Sequence, residues 1–122
     1  MTSKILIIDD NGDIRRVLKI LLHRHFQVHL TEASSGSEAI QKIKNQDFDA
    51  IICDLVMANG SGQDVIDALT QLKPDHVSRF VLFSSYKDAI QDMTHSPFQV
   101  IEKSDIDGLL NFLKRTLAQR SP

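Results

Sequence analysis

Three acidic residues stand directly after short apolar runs of the sequence. Asp9 and Asp10 follow the run at residues 5–8, and Asp54 follows the run at residues 50–53. Apolar runs of this length are typical of strands buried in a parallel sheet, and ligands of open α/β sheets bind beyond the carboxyl ends of the strands. If the two strands are neighbours, the three carboxylates meet there. Their mutual repulsion requires a cation, and hard oxygen ligands in this number suit Mg²⁺.

Two further apolar runs also end in polar groups that suit phosphoryl transfer. The run at residues 80–83 is followed by Ser84 and Ser85, and the run at residues 98–101 ends near Lys103. A carboxylate can attack phosphorus, a hydroxyl can donate a hydrogen bond to a phosphoryl oxygen, and an ammonium group can neutralise the charge that develops. The sequence therefore predicts a metal-assisted phosphoryl site at the ends of four strands.

Strand-like and helix-like segments alternate five times along the 122 residues. The predicted strands are residues 4–9, 26–33, 50–54, 80–83 and 98–101. The predicted helices begin after Asn11, after residues 34–37, after the loop 58–62, at Lys87 and at Asp105; the one from Lys87 to Met93 is short because Pro97 follows. This alternation predicts one α/β domain over residues 1–122, with a parallel sheet covered on both faces.

Composition excludes several other classes of protein. A net charge of −2 without a basic stripe offers no surface for direct binding of nucleic acid. Cys53 is the single cysteine, so no internal disulfide can form, and we expect a cytoplasmic protein. No apolar stretch approaches the 18 residues of a membrane span, and the amino terminus lacks a secretion signal pattern, so we expect no membrane partner.

Taken together in this order, the motifs resemble the receiver domain of bacterial two-component response regulators, of the chemotaxis-regulator type. The motifs are Ile-Ile-Asp-Asp-Asn at 7–11, Asp-Leu-Val-Met at 54–57 with Gly62 eight positions after the aspartate, Phe-Ser-Ser-Tyr at 83–86, and Val-Ile-Glu-Lys at 100–103. Each motif alone is weak, but the complete set is strong, and it covers essentially the whole chain.

The resemblance implies a role for each of these residues. Asp54 corresponds to the phospho-acceptor. Asp9 and Asp10 correspond to the acids of the Mg²⁺ site, with the backbone carbonyl of Val56 as a further ligand. Ser84 corresponds to the switch hydroxyl of the family and Lys103 to its lysine.

The resemblance also implies a fold and a set of partners. The fold is flavodoxin-like, a doubly wound (βα)5 sandwich with a five-stranded parallel sheet in the order 2-1-3-4-5. The expected donor is a sensor histidine kinase or a histidine phosphotransfer protein, and an effector domain or protein lies downstream. The implied function is that of a signalling module rather than an enzyme, because the phosphoryl group switches partner interactions.

The chain departs from the family pattern at four places. Ala58 and Ser104 stand where prolines are usual, and the first of these changes is expected to loosen its loop without removing chemistry. Val100 stands where the family commonly has a Tyr or Phe switch residue. Only 18 residues separate Ser84 from Lys103, which predicts a helix about one turn shorter than is usual in the family. We therefore expect intact phosphorylation chemistry with an unusual output.

Two alternatives to a phosphorylated receiver remain open at this stage. A degenerate receiver would bind partners without phosphorylation. An aspartyl-phosphate hydrolase of the haloacid-dehalogenase type also uses Mg²⁺ and a strand-end aspartate. However, it places its nucleophile on the first strand and a second acid two positions later, where this chain has Val56 after Asp54. Its substrate-enclosing cap would also need more than 122 residues.

Overall fold

The computed structural model describes residues 2–85 and 98–119. Within them lie five strands: β1 (Ser3–Ile8), β2 (Val28–Ala33), β3 (Ala50–Cys53), β4 (Phe80–Ser84) and β5 (Gln99–Glu102). They form one sheet in the order β2-β1-β3-β4-β5, and each neighbouring pair is parallel. The predicted sheet order is confirmed, including the position of β1 beside β3.

The described residues contain four α-helices: α1 (Gly12–His25), α2 (Gly36–Asn45), α3 (Gly62–Leu72) and α4 (Ile106–Ala118). Each begins at a polar side chain that accepts a hydrogen bond from a backbone N–H of the first turn, namely Asn11, Ser35, Ser61 and Asp105. The helix predicted from Lys87 to Met93 lies outside the described residues. Among the helices that are described, none combines the length and the apolar character needed to span a membrane.

The strand boundaries agree with the sequence predictions to within one residue, except at the start of β2. Phe26 was predicted to begin the second strand, but it caps α1 instead, and its N–H donates to the Leu22 carbonyl. The strand starts only at Val28, because α1 continues as far as His25. Pro74 ends α3 as predicted, yet it also opens a 3₁₀ helix over Pro74–Arg79 that the sequence did not indicate.

Successive strand residues point to opposite sides of the sheet, so apolar strands give it two apolar faces. Helices cover both faces and bury them. Ile5 and Ile7 of β1 belong to the cluster that α1 and α4 cover, whereas Leu6 and Ile8 belong to the cluster that α2 and α3 cover. Cys53 lies in the second cluster, fully buried, and burial raises the pKa of its thiol. Cys53 therefore packs as a small apolar residue.

The loop between β3 and α3 packs tightly against the start of α2 and against β3 itself. Gly60 has a φ of +89°, in the left-handed region that favours glycine. A Cβ on Gly36 would lie 2.5 Å from the carbonyl oxygen of Gly60. At the end of the loop, the Gly62 N–H donates to the Leu55 carbonyl at 2.8 Å. A Cβ on Gly62 would lie 2.6 Å from the Asp54 carbonyl oxygen. These approaches fix the path of the chain directly after Asp54.

Candidate functional site

The three predicted acids converge beyond the carboxyl ends of β1 and β3. The strand register places Ile8 beside Cys53, so Asp9 and Asp54, which come directly after them, are adjacent. One carboxylate oxygen from each of Asp9, Asp10 and Asp54 lies within 4.8 Å of the others. Asp9 and Asp54 are 3% and 8% exposed, whereas Asp10 is exposed to solvent. The cluster therefore has two buried acids and one at its mouth.

Lys103 and Ser84 complete the cluster from the ends of β5 and β4. Lys103 Nζ lies 3.0 Å from Asp9 Oδ2 and 3.3 Å from Asp54 Oδ2. The Ser84 hydroxyl is fully buried and donates to Asp54 Oδ1 at 2.9 Å. A backbone hydrogen bond from Lys103 N–H to the Ser84 carbonyl, 2.8 Å long, holds the two strand ends together. The structure thus brings together five predicted side chains, those of Asp9, Asp10, Asp54, Ser84 and Lys103.

Backbone N–H groups orient the three acids as well. Asp9 Oδ1 accepts from the Asn11 N–H and Asp54 Oδ1 accepts from the Leu55 N–H, both at 2.9 Å. Asp10 Oδ2 accepts from the Ala58 N–H at 3.3 Å. Proline has no N–H, so the change to Ala58 adds a contact to the site that a proline could not make.

The contacts of Ala58 and Arg15 with these acids are not predicted from the sequence. In the sequence, Ala58 is notable only as a position where a proline is usual. Nothing there marks Arg15, whose guanidinium donates a short hydrogen bond to the Asp9 carbonyl. An arginine near the start of a helix gives no signal of such a contact, since the contact depends on how α1 is oriented over the end of β1.

Opposing electrostatic effects act on the two groups that face each other in the site. Burial raises the pKa of the Asp54 carboxyl, while the hydrogen bond from Ser84 and the charge of Lys103 counteract part of that rise. Burial would lower the pKa of the Lys103 ammonium, but its hydrogen bond to Asp9 and the charge of Asp54 outweigh this effect and raise it. Lys103 therefore remains a cation between the acids.

The charge balance of the cluster fits a divalent cation. Three carboxylates and one ammonium group give the cluster a formal charge of −2 within a few ångströms. Lys103 lies against the two buried acids, so the negative charge of Asp10 remains at the mouth of the cluster. Carboxylate oxygens are the ligands that Mg²⁺ and Ca²⁺ prefer, and the donor set therefore matches the predicted Mg²⁺.

The structure also describes the two other predicted positions, Val56 and Val100. Val56 is in the loop after β3, with its side chain 58% exposed, and the role of its backbone carbonyl as a metal ligand stays a prediction. Val100 is half-buried in β5, opposite Leu82, and packs against the cluster that α2 and α3 cover. It places a small branched side chain where an aromatic switch residue would stand.

The doubly wound sheet and its acidic cluster define the class: an α/β protein with its functional groups beyond the carboxyl ends of the strands. A family model described as the response regulator receiver domain matches residues 5–114. The chain therefore belongs to the receiver domain family of two-component response regulators. This membership decides between the receiver and the haloacid-dehalogenase type of hydrolase, and with the acidic cluster present the degenerate-receiver alternative is not needed.

Curated relatives match over nearly the whole chain. The response regulator protein PilR of Pseudomonas aeruginosa is 30% identical over 122 aligned residues, which cover 98% of this chain and 27% of PilR. The transcriptional regulatory protein SrrA of Staphylococcus aureus is 38% identical over 132 aligned residues, covering 99% of this chain and 53% of SrrA. The chain thus spans about a quarter to about half of the length of these relatives.

Solved structures of receivers share the fold. The response regulator TrrA of Thermotoga maritima, solved in complex with Mg²⁺-BeF, has a TM-score of 0.82 and 26% identity, covering 94% of this chain and 99% of that one. A CheY-like receiver domain from Methylobacillus flagellatus has a TM-score of 0.80 and 25% identity, covering 95% and 99% of the two chains. The flavodoxin-like fold implied by the resemblance is confirmed.

Proposed function

We propose that Asp54 accepts a phosphoryl group from a phosphohistidine and that the resulting acyl phosphate switches the interactions of the receiver with its partners. One observation carries this assignment to Asp54. Its carboxylate lies in the acidic cluster and also contacts both the Ser84 hydroxyl and the Lys103 ammonium. A phosphoryl group on Asp54 would therefore meet a hydrogen-bond donor and a positive charge without a large rearrangement.

The metal ligands in this proposal are Asp9, Asp10 and Asp54, together with the backbone carbonyl of Val56. Mg²⁺, when bound, would neutralise part of the acidic charge and of the charge on the phosphoryl oxygens. Support comes from the three carboxylate oxygens within 4.8 Å of one another. The Mg²⁺-BeF complex of TrrA gives further support, since it belongs to a receiver of the same fold.

The side chains that take part in the transfer step already contact one another. An Asp54 carboxylate oxygen forms the new O–P bond while the P–N bond of the phosphohistidine breaks, and the electron pair of that bond stays on the imidazole nitrogen. The Lys103 ammonium offsets the negative charge of the phosphoryl oxygens. The Ser84 hydroxyl, which donates to Asp54 Oδ1 before the transfer, then donates to a phosphoryl oxygen instead. The product is a modified receiver, so the chain acts as a signalling module and not as an enzyme with turnover of a released product.

The partners are inferred from this chemistry. The donor is a sensor histidine kinase or a histidine phosphotransfer protein, which must bring its imidazole over Asp54. A cleft of about 250 Å³ lies beside α1 and is lined by Asp13, Ile14, Val17, Leu18, Phe83, Lys103 and Ile106. Lys103 also contacts the acidic cluster, so the cleft borders the site, and we propose that the donor protein docks there. The downstream effector belongs to a cytoplasmic signalling pathway in this proposal, and we propose no direct contact with nucleic acid or membrane.

Labelling with a small donor tests the assignment of Asp54. Incubation of the wild-type chain with acetyl phosphate and Mg²⁺ should add a single phosphoryl group, measured by intact-mass spectrometry. Asp54→Asn should abolish the adduct, because an amide is not nucleophilic enough to replace the carboxylate. Asp47→Asn, a change of the same type on an exposed turn, should leave it unchanged. Full labelling of the Asp54→Asn variant would show that the acceptor is another residue.

A further inference from the structure

Arg15 connects the acidic cluster to the edge strand β2. From near the start of α1, Arg15 Nη1 donates to the backbone carbonyl of Asp9, and Arg15 Nε donates to Glu32 Oε1 at 2.9 Å. The Arg15 side chain is only 19% exposed, and that of Glu32 is 35% exposed. Because the guanidinium is a rigid planar fork, the ion pair with Glu32 sets the direction in which Nη1 points.

Every polar atom of Asp9 takes part in a hydrogen bond or an ion pair. Its N–H donates to the Ala33 carbonyl at 3.1 Å, Oδ1 accepts from the Asn11 N–H at 2.9 Å, Oδ2 meets Lys103 Nζ at 3.0 Å, and its carbonyl accepts from Arg15. The Asp9 carbonyl belongs to the peptide group that leads to Asp10. The contact from Arg15 therefore constrains the plane of this peptide, which contains the Cα atoms of both acids.

We propose that Arg15, oriented by Glu32, is a positioning residue for the metal site: it holds the peptide between Asp9 and Asp10 so that both carboxylates face Asp54. This inference rests on the proposed function, in which the cluster binds Mg²⁺. Groups that orient metal ligands without touching the metal typically contribute 10–100-fold to metal affinity. Loss of Arg15 should therefore weaken Mg²⁺ binding by about tenfold, at the lower end of that range.

Lys19 offers a matched control for this role. Lys19 Nζ donates to the other oxygen of Glu32, Oε2, at 2.9 Å. Arg15→Met and Lys19→Met thus each remove one positive charge and one ion pair with Glu32, but only the first removes the contact to Asp9. Removal of a nearby positive charge alone strengthens the binding of a cation. A loss of affinity in Arg15→Met therefore cannot come from the charge.

Titration of the full chain with Mg²⁺, monitored by ¹H–¹⁵N spectra, tests the proposal. Arg15→Met should raise the dissociation constant by about tenfold, whereas Lys19→Met should match the wild type or bind slightly tighter. In the metal-free spectra, the amide ¹⁵N shift of Asp10 should move in Arg15→Met but not in Lys19→Met, because that nitrogen shares its peptide with the Asp9 carbonyl. An Arg15→Met variant that matches Lys19→Met in both affinity and shift would overturn the positioning role.

Two further measurements distinguish failure of the Arg15 proposal from failure of the proposed function and from unfolding of the variant. A wild-type chain that does not bind Mg²⁺ would overturn the proposed function itself, whereas wild-type binding with equal variants overturns only the role of Arg15. If urea unfolding shows that Arg15→Met is unfolded, Arg15→Lys decides. It keeps the charge, but its single ammonium group cannot reproduce the fork between Asp9 and Glu32. Several-fold weaker Mg²⁺ binding by folded Arg15→Lys supports the proposal, and wild-type affinity overturns it.

Discussion

Asp10 differs from the other two acids of the site in its exposure and in its partners. Asp9 and Asp54 are buried against Lys103, whereas Asp10 is exposed and accepts a hydrogen bond from the Ala58 N–H. Its negative charge is therefore not neutralised by the lysine and remains available to a cation. A surface acid elsewhere in the fold makes no such contribution, and this difference can be measured.

Asp10→Asn should weaken Mg²⁺ binding by at least about tenfold, because it removes a direct ligand charge rather than an outer contact. It should also slow labelling by acetyl phosphate. Asp47→Asn serves as the control, since Asp47 is an exposed acid that pairs with Lys73 at 2.6 Å and does not belong to the cluster. The dissociation constants can be measured by calorimetric titration of each variant. Equal Mg²⁺ affinities of the two variants would contradict the three-acid site.

At the level of single residues, the sequence predicted the polar groups that stand at the ends of buried strands. Asp9, Asp54, Ser84 and Lys103 each come after an apolar run, and parallel strands place their carboxyl ends at one edge. The contact of Arg15 with Asp9 could not be predicted in the same way. It depends on the rotation of α1 and on side-chain geometry, neither of which is encoded in a local pattern.

At the level of elements, periodicity and capping residues predict the α-helices and strands that the structure describes, and the main differences are the start of β2 and an additional 3₁₀ helix. The alternating pattern from Phe26 onward was assigned to a strand, although Phe26 still packs with α1 against the core. Its ring packs against that cluster, and its backbone N–H caps the helix that ends at His25. The 3₁₀ helix at Pro74–Arg79 was missed because a proline after a helix predicts where the helix ends but not the conformation of the next residues.

The position of Val100 in β5 bears on how phosphorylation changes the receiver. In the family that the chain resembles, the switch hydroxyl moves toward the phosphoryl group and an aromatic ring fills the space it leaves. Here the buried Ser84 hydroxyl already points at Asp54. Val100 is β-branched, so its χ1 is restricted, and it is half-buried against neighbouring apolar side chains. An aromatic exchange is therefore not expected to transmit the signal.

We expect the largest response to phosphorylation at residues 85–97, which come directly after Ser84. By sequence, the helix predicted there carries few apolar residues, chiefly Ala89, Ile90 and Met93, and an element with few buried contacts opens most easily. Beryllofluoride with Mg²⁺ should therefore change hydrogen exchange most in this segment, which would then contact the partner. If exchange changes mainly in α1 while residues 85–97 keep their protection, the signal takes another route.

At the level of the whole molecule, the sheet order is the feature that assembles the site. The order β2-β1-β3-β4-β5 puts the acidic ends of β1 and β3 side by side and the ends of β4 and β5 next to them. Residues distant in sequence, such as Asp9 and Lys103, thereby come within 3.0 Å. The same arrangement leaves α1 beside the site, with Val17 and Ile20 exposed at 61% and 57%.

The exposed face of α1 should matter for a protein donor but not for a small one. Acetyl phosphate needs only Asp54 and its neighbours, whereas a phosphohistidine protein must also seat itself along the cleft that Val17 lines. Burial of a valine side chain in an interface is worth roughly 1.5 kcal/mol or more, so its loss corresponds to about a tenfold change in binding. Val17→Asn should therefore slow transfer from a phosphorylated histidine phosphotransfer protein by about tenfold.

The comparison of two donors makes this prediction specific to docking. Rates are measured for the wild type and Val17→Asn, first with acetyl phosphate and then with a phosphotransfer protein that labels the wild type. Leu72→Asn is the control, because Leu72 is 46% exposed at the far end of α3 and is not among the residues that line the cleft. It should leave both rates unchanged. A Val17→Asn variant slowed equally with both donors would mean that the substitution disturbs the acidic site itself, and a variant slowed with neither would place the donor on another face.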